Sequence, residues 1–205
     1  MRRALKMDWF IACVPFVAYW ITCVCTLPLS QPQLNDRDSN RVIGSRQVFL
    51  HTFVSSLGSI PFYYLLCQDR LFPAGLEIRW GFLLAGVWMV DTVEYIWHYT
   101  VHHCPYLMRF HAVHHQIHRP YGHAAWYQST MDSVTELIGM TLVFWMCGYR
   151  YEEFVVVMTL AVVATVCEHV GEKSFHGLHH STHPHCNFQQ PFFSYYDYWF
   201  GTLAK

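Results

Sequence analysis

The chain has few charged residues, no sustained basic run and no low-complexity segment. Lys, Arg, Asp and Glu make up only 13% of its 205 residues, about half the charged fraction of an average soluble domain. The net charge is −1 at pH 7, so the chain lacks the excess of basic residues that a nucleic-acid-binding protein usually has. A chain of this length and composition fits one domain or one compact membrane bundle.

The chain also lacks any CxxC pair, although it has eight cysteines. Those within apolar runs include Cys13, Cys23, Cys25, Cys147 and Cys167. We therefore expect these five to be small buried hydrophobic residues rather than parts of a disulfide framework.

Long apolar runs are what the chain has instead, with 53% hydrophobic and 18% aromatic residues. Residues 9–29 carry no charge and are numerous enough to cross the ~30 Å core of a bilayer as a helix. Arg2, Arg3 and Lys6 precede them, as at the start of a signal peptide. The run is longer than the usual ~7–15 residues of a signal core and no small-x-small site follows it. We therefore expect a retained anchor.

A polar linker, residues 30–46, separates this anchor from a second apolar segment, residues 48–67. His51, Gly58 and Pro61 weaken the second segment. It is therefore expected to span the membrane, to kink, or only to re-enter.

A third apolar segment covers residues 80–97, and residues 134–147 and 154–166 form a last pair. The short polar turn between the last two predicts a helical hairpin, which leaves one side of the bilayer and returns to it. Histidines before and after this hairpin should therefore share one side. The positive-inside rule does not identify that side, because Lys and Arg are spread thinly over every loop.

Fourteen of the fifteen histidines lie between His98 and His185. They form three ordered boxes, one HxxxH beginning at His98 and two HxxHH beginning at His111 and His176. On a helix, residues three and four apart share a face, with Cβ atoms about 5–6 Å apart. Each box is therefore expected to project its imidazoles one way, towards a metal. His169 stands alone at the end of the last apolar segment.

The number of candidate ligands indicates two metal ions, because it exceeds the capacity of one six-coordinate ion. The predicted metal ligands are His98, His102, His111, His114, His115, His169, His176, His179 and His180. Imidazole suits Fe, Zn, Cu and Ni. Iron is favoured because a redox metal explains so many neutral ligands beside lipid-facing helices, and zinc is not excluded.

The remaining histidines are predicted not to bind metal, with His123 left open. We expect His51 to be a core or interface residue. The others are expected to be solvated or to lie next to ligands: His103, His118, His183 and His185.

Two carboxylates, Asp91 and Glu94, fall on the same helical stripe as the first box. Charges inside a membrane helix usually face the protein interior. We predict that both residues orient imidazole N–H groups rather than bind metal directly. The alternative is an internal hydrogen bond or ion pair between helices. Asp132 and Glu168 are weaker candidates for the same orienting task.

The run from Asp91 through the three boxes resembles the fatty acid hydroxylase/sterol desaturase superfamily over about the C-terminal 115 residues. Residues 119–127 and 187–193, followed by Asp197 and Gly201, are similar to segments of the sphinganine C4-hydroxylases within it. The resemblance implies a multi-pass enzyme of the endoplasmic reticulum that uses O2 and two irons. It further implies electrons from NAD(P)H through a cytochrome b5-type carrier, and histidines on the cytosolic side.

The chain departs from this family pattern at three points. Relatives usually carry a histidine where this chain has Ser129, and they often have a longer insertion between His169 and His176. The N-terminal region is also short. We predict that the stretch from Pro120 to Tyr127 is a loop that folds back and brings His123 to the metal centre, in compensation for Ser129.

Together these features predict an all-α, integral membrane helical bundle with a histidine-rich di-metal cap on one side. We expect one membrane domain, 1–205, with apolar segments and a linker in 1–79 and the catalytic histidine boxes in 80–205. The predicted function is O2-dependent hydroxylation of a long-chain lipid, a sphingoid base or ceramide, at C4. The alternatives are a sterol desaturase or sterol methyl oxidase, and a non-catalytic metal-binding or transport protein of the membrane.

Overall fold

The computed structural model describes residues 2–34, 45–68, 72, 77–189 and 191–204. Within these ranges the regular elements are helices, without a β-strand. In the described part of the chain, the body of the molecule consists of five long helices: α1 (Arg2–Leu34), α2 (Ser45–Gln68), α3 (Trp80–His103), α5 (Thr130–Met146) and α6 (Tyr151–Glu168). Three short ones lie between or after them: α4 (Pro105–His111), α7 (Phe175–Ser181) and α8 (Tyr195–Phe200).

Among the described residues, two helices are long and apolar enough to cross a membrane, over Trp9–Ser30 in α1 and Arg46–Leu66 in α2. Only 28% and 22% of these segments are buried inside the molecule, so most of their apolar surface faces outward. Pro61 lies inside α2 without ending it, and the second apolar segment is therefore one continuous helix. The predicted all-α membrane bundle is confirmed. Most of the polar linker, 35–44, lies outside the described residues.

The long helices alternate in direction between two ends of the bundle. At one end, the turn end, the ring of Trp9 near the start of α1 stacks on Tyr64 near the end of α2, with centroids 3.8 Å apart. The Tyr151 hydroxyl at the start of α6 donates to the carbonyl of Tyr63, also in α2, at 3.0 Å. At this end α1 and α6 therefore begin where α2 finishes.

The start of α3 is fastened to the same turn end. Arg79 binds the Glu153 carboxylate at 2.5 Å and also donates to the carbonyl of Gly148. Burial alone would raise the pKa of Glu153, but hydrogen bonds from Arg79 and from the Arg150 backbone hold it at about 2. The carboxylate is therefore ionised and paired.

At the opposite end, the cap end, the chain between α4 and α5 packs against α1. The Tyr19 hydroxyl donates to the carbonyl of His123 at 3.1 Å, and the Tyr19 ring stacks on Trp126. A Cβ on Gly122 would lie 2.6 Å from Oγ1 of Thr26. Only glycine allows this close approach without displacing α1.

Helices α5 and α6 form the predicted hairpin, and its prediction is confirmed. Helix α5 has 17 residues and α6 has 18. Both are longer than their apolar segments, because polar residues extend each helix at the cap end. The chain before Thr130 and the chain after Glu168 consequently meet at the cap end, which brings the second and third histidine boxes to one side.

The expectation of buried cysteines is correct for Cys23 and wrong for three others. Cys25, Cys147 and Cys167 are exposed, and the described cysteines are all free thiols. An apolar run in a membrane bundle has an outward face towards lipid, so an apolar neighbourhood in sequence does not imply burial in protein.

Candidate metal centre

The first histidine box lies in the last turns of α3. His98 is fully buried, and its Nδ1 is 2.8 Å from the carbonyl oxygen of Phe188. His102 follows one turn later, with its ring centroid 5.0 Å from that of His98. The box is helical, as expected, and it directs both rings to the same side.

The second box is not one α-helix, which corrects the expectation that its imidazoles all project one way. Helix α4 ends at His111, and His114–Gln116 forms a 3₁₀ turn. His111 and His115 turn towards the rings of the first box, with centroids 5.0 Å and 4.8 Å from that of His102. His114 turns the other way, with its Nε2 3.0 Å from Nε2 of His180.

The third box is carried by α7, and it is divided in the same manner. Ser174 caps this helix by accepting a hydrogen bond from the Gly177 N–H. A Cβ on Gly177 would overlap the carbonyl oxygen of Gly171, so glycine lets α7 pack against the preceding turn. His176 and His180 join His114, whereas His179 joins the rings of the first box.

The nine predicted ligands thus form two clusters, in each of which the nitrogens lie within 4.8 Å of one another. The five-histidine cluster contains His98, His102, His111, His115 and His179. The four-histidine cluster contains His114, His169, His176 and His180. All nine predicted residues are accounted for, and their role as metal ligands stays a prediction.

Most of these rings are oriented through Nδ1 by an acceptor outside the clusters. Five of the acceptors are backbone carbonyls, those of Ile117, Tyr127, Thr165, Cys186 and Phe188, at 2.7–3.0 Å. A carbonyl oxygen only accepts, so the facing Nδ1 carries the proton and the Nε2 of a neutral ring carries a lone pair. The lone pairs point into the clusters.

This geometry fits metal ions. His114, His169 and His180 all donate through Nδ1 to carbonyls, yet their Nε2 atoms face each other at 3.0 and 3.3 Å. Lone pairs at these distances repel one another unless a cation lies between them. Burial, followed by neighbouring imidazoles, holds the pKa of His114 and His180 well below its usual value, so the rings are neutral, as metal ligation requires.

Buried nitrogens without a protein partner support the same conclusion. Nε2 of His98, Nε2 of His111 and both ring nitrogens of His176 are buried and have no hydrogen-bond partner in the structure. Buried polar atoms are rarely left unsatisfied. A metal ion in each cluster would satisfy the inward-facing Nε2 atoms.

Among the carboxylates, the weaker candidate, Asp132, contacts a cluster directly. Its Oδ2 lies 3.0 Å from Nδ1 of His111, and both side chains are buried. Glu168 instead accepts from the backbone N–H of His176 at 3.5 Å. It therefore holds the start of α7 rather than a ring.

Asp91 does not contact an imidazole among the described residues. This corrects the prediction that its carboxylate orients an imidazole N–H group directly. Its oxygens accept hydrogen bonds from Nε2 of Gln189 and from the backbone N–H groups of Phe192 and Phe193 at 2.8–3.2 Å. It thereby fixes the segment whose Phe188 carbonyl orients His98. Asp91 therefore acts on the five-histidine cluster only indirectly, through this segment. These hydrogen bonds explain why a carboxylate lies on the inward-facing stripe of α3.

The sequence pattern gives no chemical reason to single out Asp197, yet this residue holds the same segment from the other side. Its carboxylate accepts from the N–H groups of Phe188 and Gln189 and from the Thr202 hydroxyl, at 2.7–2.9 Å. Phe188 is completely buried. Asp91 and Asp197 together clamp the chain that carries the His98 acceptor.

The structure does not bring His123 into either cluster. The chain before α5 is non-helical, as predicted, but the His123 ring packs 4.5 Å from Tyr121 and 6.1 Å from Phe49. The proposed compensation for Ser129 is therefore not supported. Ser129 has a local task, since its hydroxyl caps α5 by accepting from the Asp132 N–H.

The other histidines predicted not to bind metal also lie outside the clusters. Nε2 of His51 is 2.9 Å from the carbonyl oxygen of Gln128, and its ring packs on Tyr127. His51 thus joins α2 to the start of α5, in the interface role that we expected.

A cavity of about 500 Å³ extends from the clusters between α2, α3, α5 and α6. Its cap end is polar, with His111, His114, His169, Glu94, Gln128, Ser133 and Glu136. The rest of its wall is largely apolar, and includes Phe62, Tyr63, Val90, Leu137, Met140 and Met158. Glu94, one of the two stripe carboxylates, therefore faces this cavity. The space suits an amphiphile with its polar end beside the histidines.

Curated proteins similar to this chain are sphingolipid hydroxylases. It is 27% identical to the sphingolipid C4-hydroxylase of Saccharomyces cerevisiae, over 60% of this chain and 40% of that protein. It is 27% identical to that of Schizosaccharomyces pombe, over 69% and 52%, so it spans about half the length of these fungal relatives. Sphinganine C4-monooxygenase 1 of Arabidopsis thaliana is 27% identical, over 92% of this chain and 84% of the plant protein.

No solved structure matches the chain significantly. A family model does, over residues 83–202. That stretch begins within α3 and contains all nine histidines of the two clusters, the Asp132 partner of His111 and the Asp197 clamp. By this match, the chain belongs to the fatty acid hydroxylase family.

Proposed function

We propose that this chain is an oxidoreductase that uses O2 and two iron ions to hydroxylate a long-chain lipid. The observation that carries the proposal is the location of two convergent histidine clusters at the polar end of an otherwise apolar cavity. Zinc could bind the same nitrogens, but it has no redox chemistry. Hydroxylation of an unactivated C–H bond requires a redox metal.

The five-histidine cluster would hold one iron and the four-histidine cluster the other. When bound, the irons would supply the reduction of O2 and the activation of the C–H bond. The protein's own groups hold the imidazoles neutral and correctly turned, through backbone carbonyls and Asp132. The apolar wall of the cavity excludes water and aligns the chain of the lipid.

The substrate that we propose is a sphingoid base or ceramide, hydroxylated at C4. The names of the fungal and plant relatives support this choice. The distribution of polarity in the cavity supports it independently, because a head group at the polar cap end leaves the tail among Phe62, Met140 and Met158. The carbon nearest the irons is then close to the head group, as C4 is, rather than in the middle of the tail.

We further propose that the protein is a multi-pass protein of the endoplasmic reticulum membrane, with its cap end in the cytosol. Electrons would come from NAD(P)H through a cytochrome b5-type carrier. The location of both clusters at one end of the bundle fits a soluble or peripheral electron donor that approaches from that side. It fits poorly with a transporter, whose ligands should line a path at mid-depth.

The test is expression in a host that lacks its own sphingoid C4-hydroxylase, followed by mass spectrometry of sphingolipids and sterols. We expect C4-hydroxylated long-chain bases, and none from a His114→Ala/His179→Ala double variant expressed to the same level. An altered sterol profile with unchanged sphingolipids would favour the sterol-oxidising alternative. Unchanged lipids with a folded, metal-loaded protein would favour a non-catalytic metal-binding protein.

A further inference from the structure

Glu136 is a carboxylate on the wall of the cavity. The hydrogen bond that the structure gives it comes from Nε2 of Gln128, at 3.3 Å, and this nitrogen also faces Ser133 at 3.0 Å. A carboxylate has about four acceptor sites. Among the described residues that line the cavity there is no lysine or arginine. An ionised carboxylate removed from water needs a partner, so Glu136 is suited to pair with a cation that enters the cavity.

The position of Glu136 relates it to the metal centre. Asp132, which contacts His111, lies four residues earlier on α5, about 6 Å along the helix axis. Side chains of a helix lean towards its N-terminus, which for α5 is the cap end. The bond to Gln128, which precedes the helix, agrees with this direction. The Glu136 carboxylate therefore lies at the metal end of the cavity, roughly one helical turn from the partner of His111.

The cavity contains a second carboxylate, Glu94 of α3, and with it two aromatic rings, Trp97 and Trp126. Acidic and aromatic groups together favour a cationic head group. The carboxylate of a fatty acid or the phosphate of a phospholipid would be repelled from the same position.

We infer that Glu136 binds the protonated amine of the substrate, so that the site selects a free long-chain amine over its N-acylated form. The inference rests on the proposed function, to which it adds the chemistry of the head group. In sphinganine the amine is on C2, two bonds from C4. Glu136 lies about one helical turn from Asp132, the partner of His111. An amine bound to Glu136 would therefore leave C4 within reach of the metal centre. Once the amine is acylated it carries no charge, and Glu136 loses its partner.

The experiment measures binding to the full-length, metal-loaded protein in detergent, by tryptophan fluorescence or thermophoresis. The probes are sphinganine, N-acetylsphinganine and stearic acid, which differ in head-group charge but share the long chain. We expect sphinganine to bind at least about tenfold more tightly than the two others, as is typical of a desolvated charge pair. Glu136→Gln, which keeps the shape of the side chain, should remove this preference: sphinganine should bind more weakly, N-acetylsphinganine should be unchanged, and stearic acid should no longer be repelled.

Glu172→Gln is the matched control, because Glu172 is a half-exposed surface residue paired with Arg119, away from the cavity. Metal content is measured for every variant. The inference is overturned if N-acetylsphinganine binds as tightly as sphinganine, or if Glu136→Gln keeps the preference. It is also overturned if Glu136→Gln loses metal, since the carboxylate would then balance the charge of the irons.

A hydroxylation assay with the same lipids separates this inference from the proposed function. If the protein hydroxylates N-acetylsphinganine and sphinganine equally well, the proposed function stands and the role of Glu136 fails. If the binding preference depends on Glu136 but no lipid is hydroxylated, the amine site stands and the proposed hydroxylase activity fails.

Discussion

Oδ2 of Asp132 on α5 lies 3.0 Å from Nδ1 of His111 at the end of α4, with both side chains buried. The carboxylate keeps the proton of His111 on Nδ1 and thereby leaves Nε2 for a metal. We predict that Asp132→Ala lowers metal affinity or activity by about 10–100-fold, the usual effect of losing such a partner. Iron per chain and C4-hydroxylated lipid are the two measurements.

Thr135→Ala is the control for Asp132, since Thr135 is on the same helix but its hydroxyl bonds only to carbonyls of its own preceding turn. Asp132→Asn should have an intermediate effect, because an amide can still accept from His111 but carries no charge. If Asp132→Ala retains full metal and activity, the carboxylate has no part in orienting His111.

Each cluster should hold one metal ion. The protein purified in detergent, without exposure to chelator, is expected to carry close to two metal ions per chain by inductively coupled plasma mass spectrometry. The reason is the convergence of five imidazoles in one cluster and four in the other. A folded sample with one metal ion or none would contradict the two-site arrangement.

Loss of one ligand from either cluster should abolish hydroxylation. We predict that His114→Ala and His179→Ala each lower activity by more than about 100-fold, beyond the effect of losing an outer partner. His51→Ala should keep most of the activity, because it loses only a bond to the Gln128 carbonyl, worth about 1 kcal/mol. Equal losses in all three variants, at equal expression, would mean that they report folding rather than metal binding.

Removal of Asp197 should loosen the segment that orients His98. Asp197→Ala leaves three donors without their acceptor, from Phe188, Gln189 and Thr202. Each unsatisfied buried group costs about 1–3 kcal/mol, so we predict a melting temperature lower by about 5 °C or more and a reduced metal content. Tyr198→Ala is the control, since Tyr198 is 72% exposed. A variant that keeps wild-type melting and metal would show that the clamp is dispensable.

Blocking the cavity should stop the reaction without removing the metals. Gly58 lines the cavity, and a Cβ there meets no atom within 4 Å. Gly58→Phe would therefore project into the space for the lipid tail, and we predict a loss of activity of about tenfold or more with two metals retained. Gly139→Phe is the matched control, because Gly139 has equal room but does not line the cavity. Equal activity of the two variants would argue against this cavity as the lipid site.

The nine histidines could be predicted because their spacing is a local property of the chain. Their division between two clusters could not, since it depends on where α4 ends, at His111, and on how α7 packs against the preceding turn. The helical stripe that Asp91 shares with the first box favours Asp91 over Asp132 as the orienting carboxylate. Asp132 reaches His111 from another helix, a tertiary contact that no periodicity reveals.

The groups that orient most of the rings had no sequence signal at all. The backbone carbonyls of Ile117, Tyr127 and Phe188 would be there whatever the side chain. The prediction for His123 was wrong for a related reason. Its loop does fold, but towards α1 and α2, where Tyr19 binds the His123 carbonyl. Packing against the membrane helices decided the direction of that loop.

The two HxxHH boxes each divide their rings between the two histidine clusters. In His111–His115 the first and last rings go to one cluster and the middle one to the other, and in His176–His180 the assignment is reversed. Neither cluster can therefore assemble from a single piece of chain, and a metal ion bound in one would help to arrange the ligands of the other. We expect the two ions to be taken up cooperatively. A lineage that lost one of them would also dismantle its neighbour, so a single-metal descendant of this fold would have to rebuild both boxes.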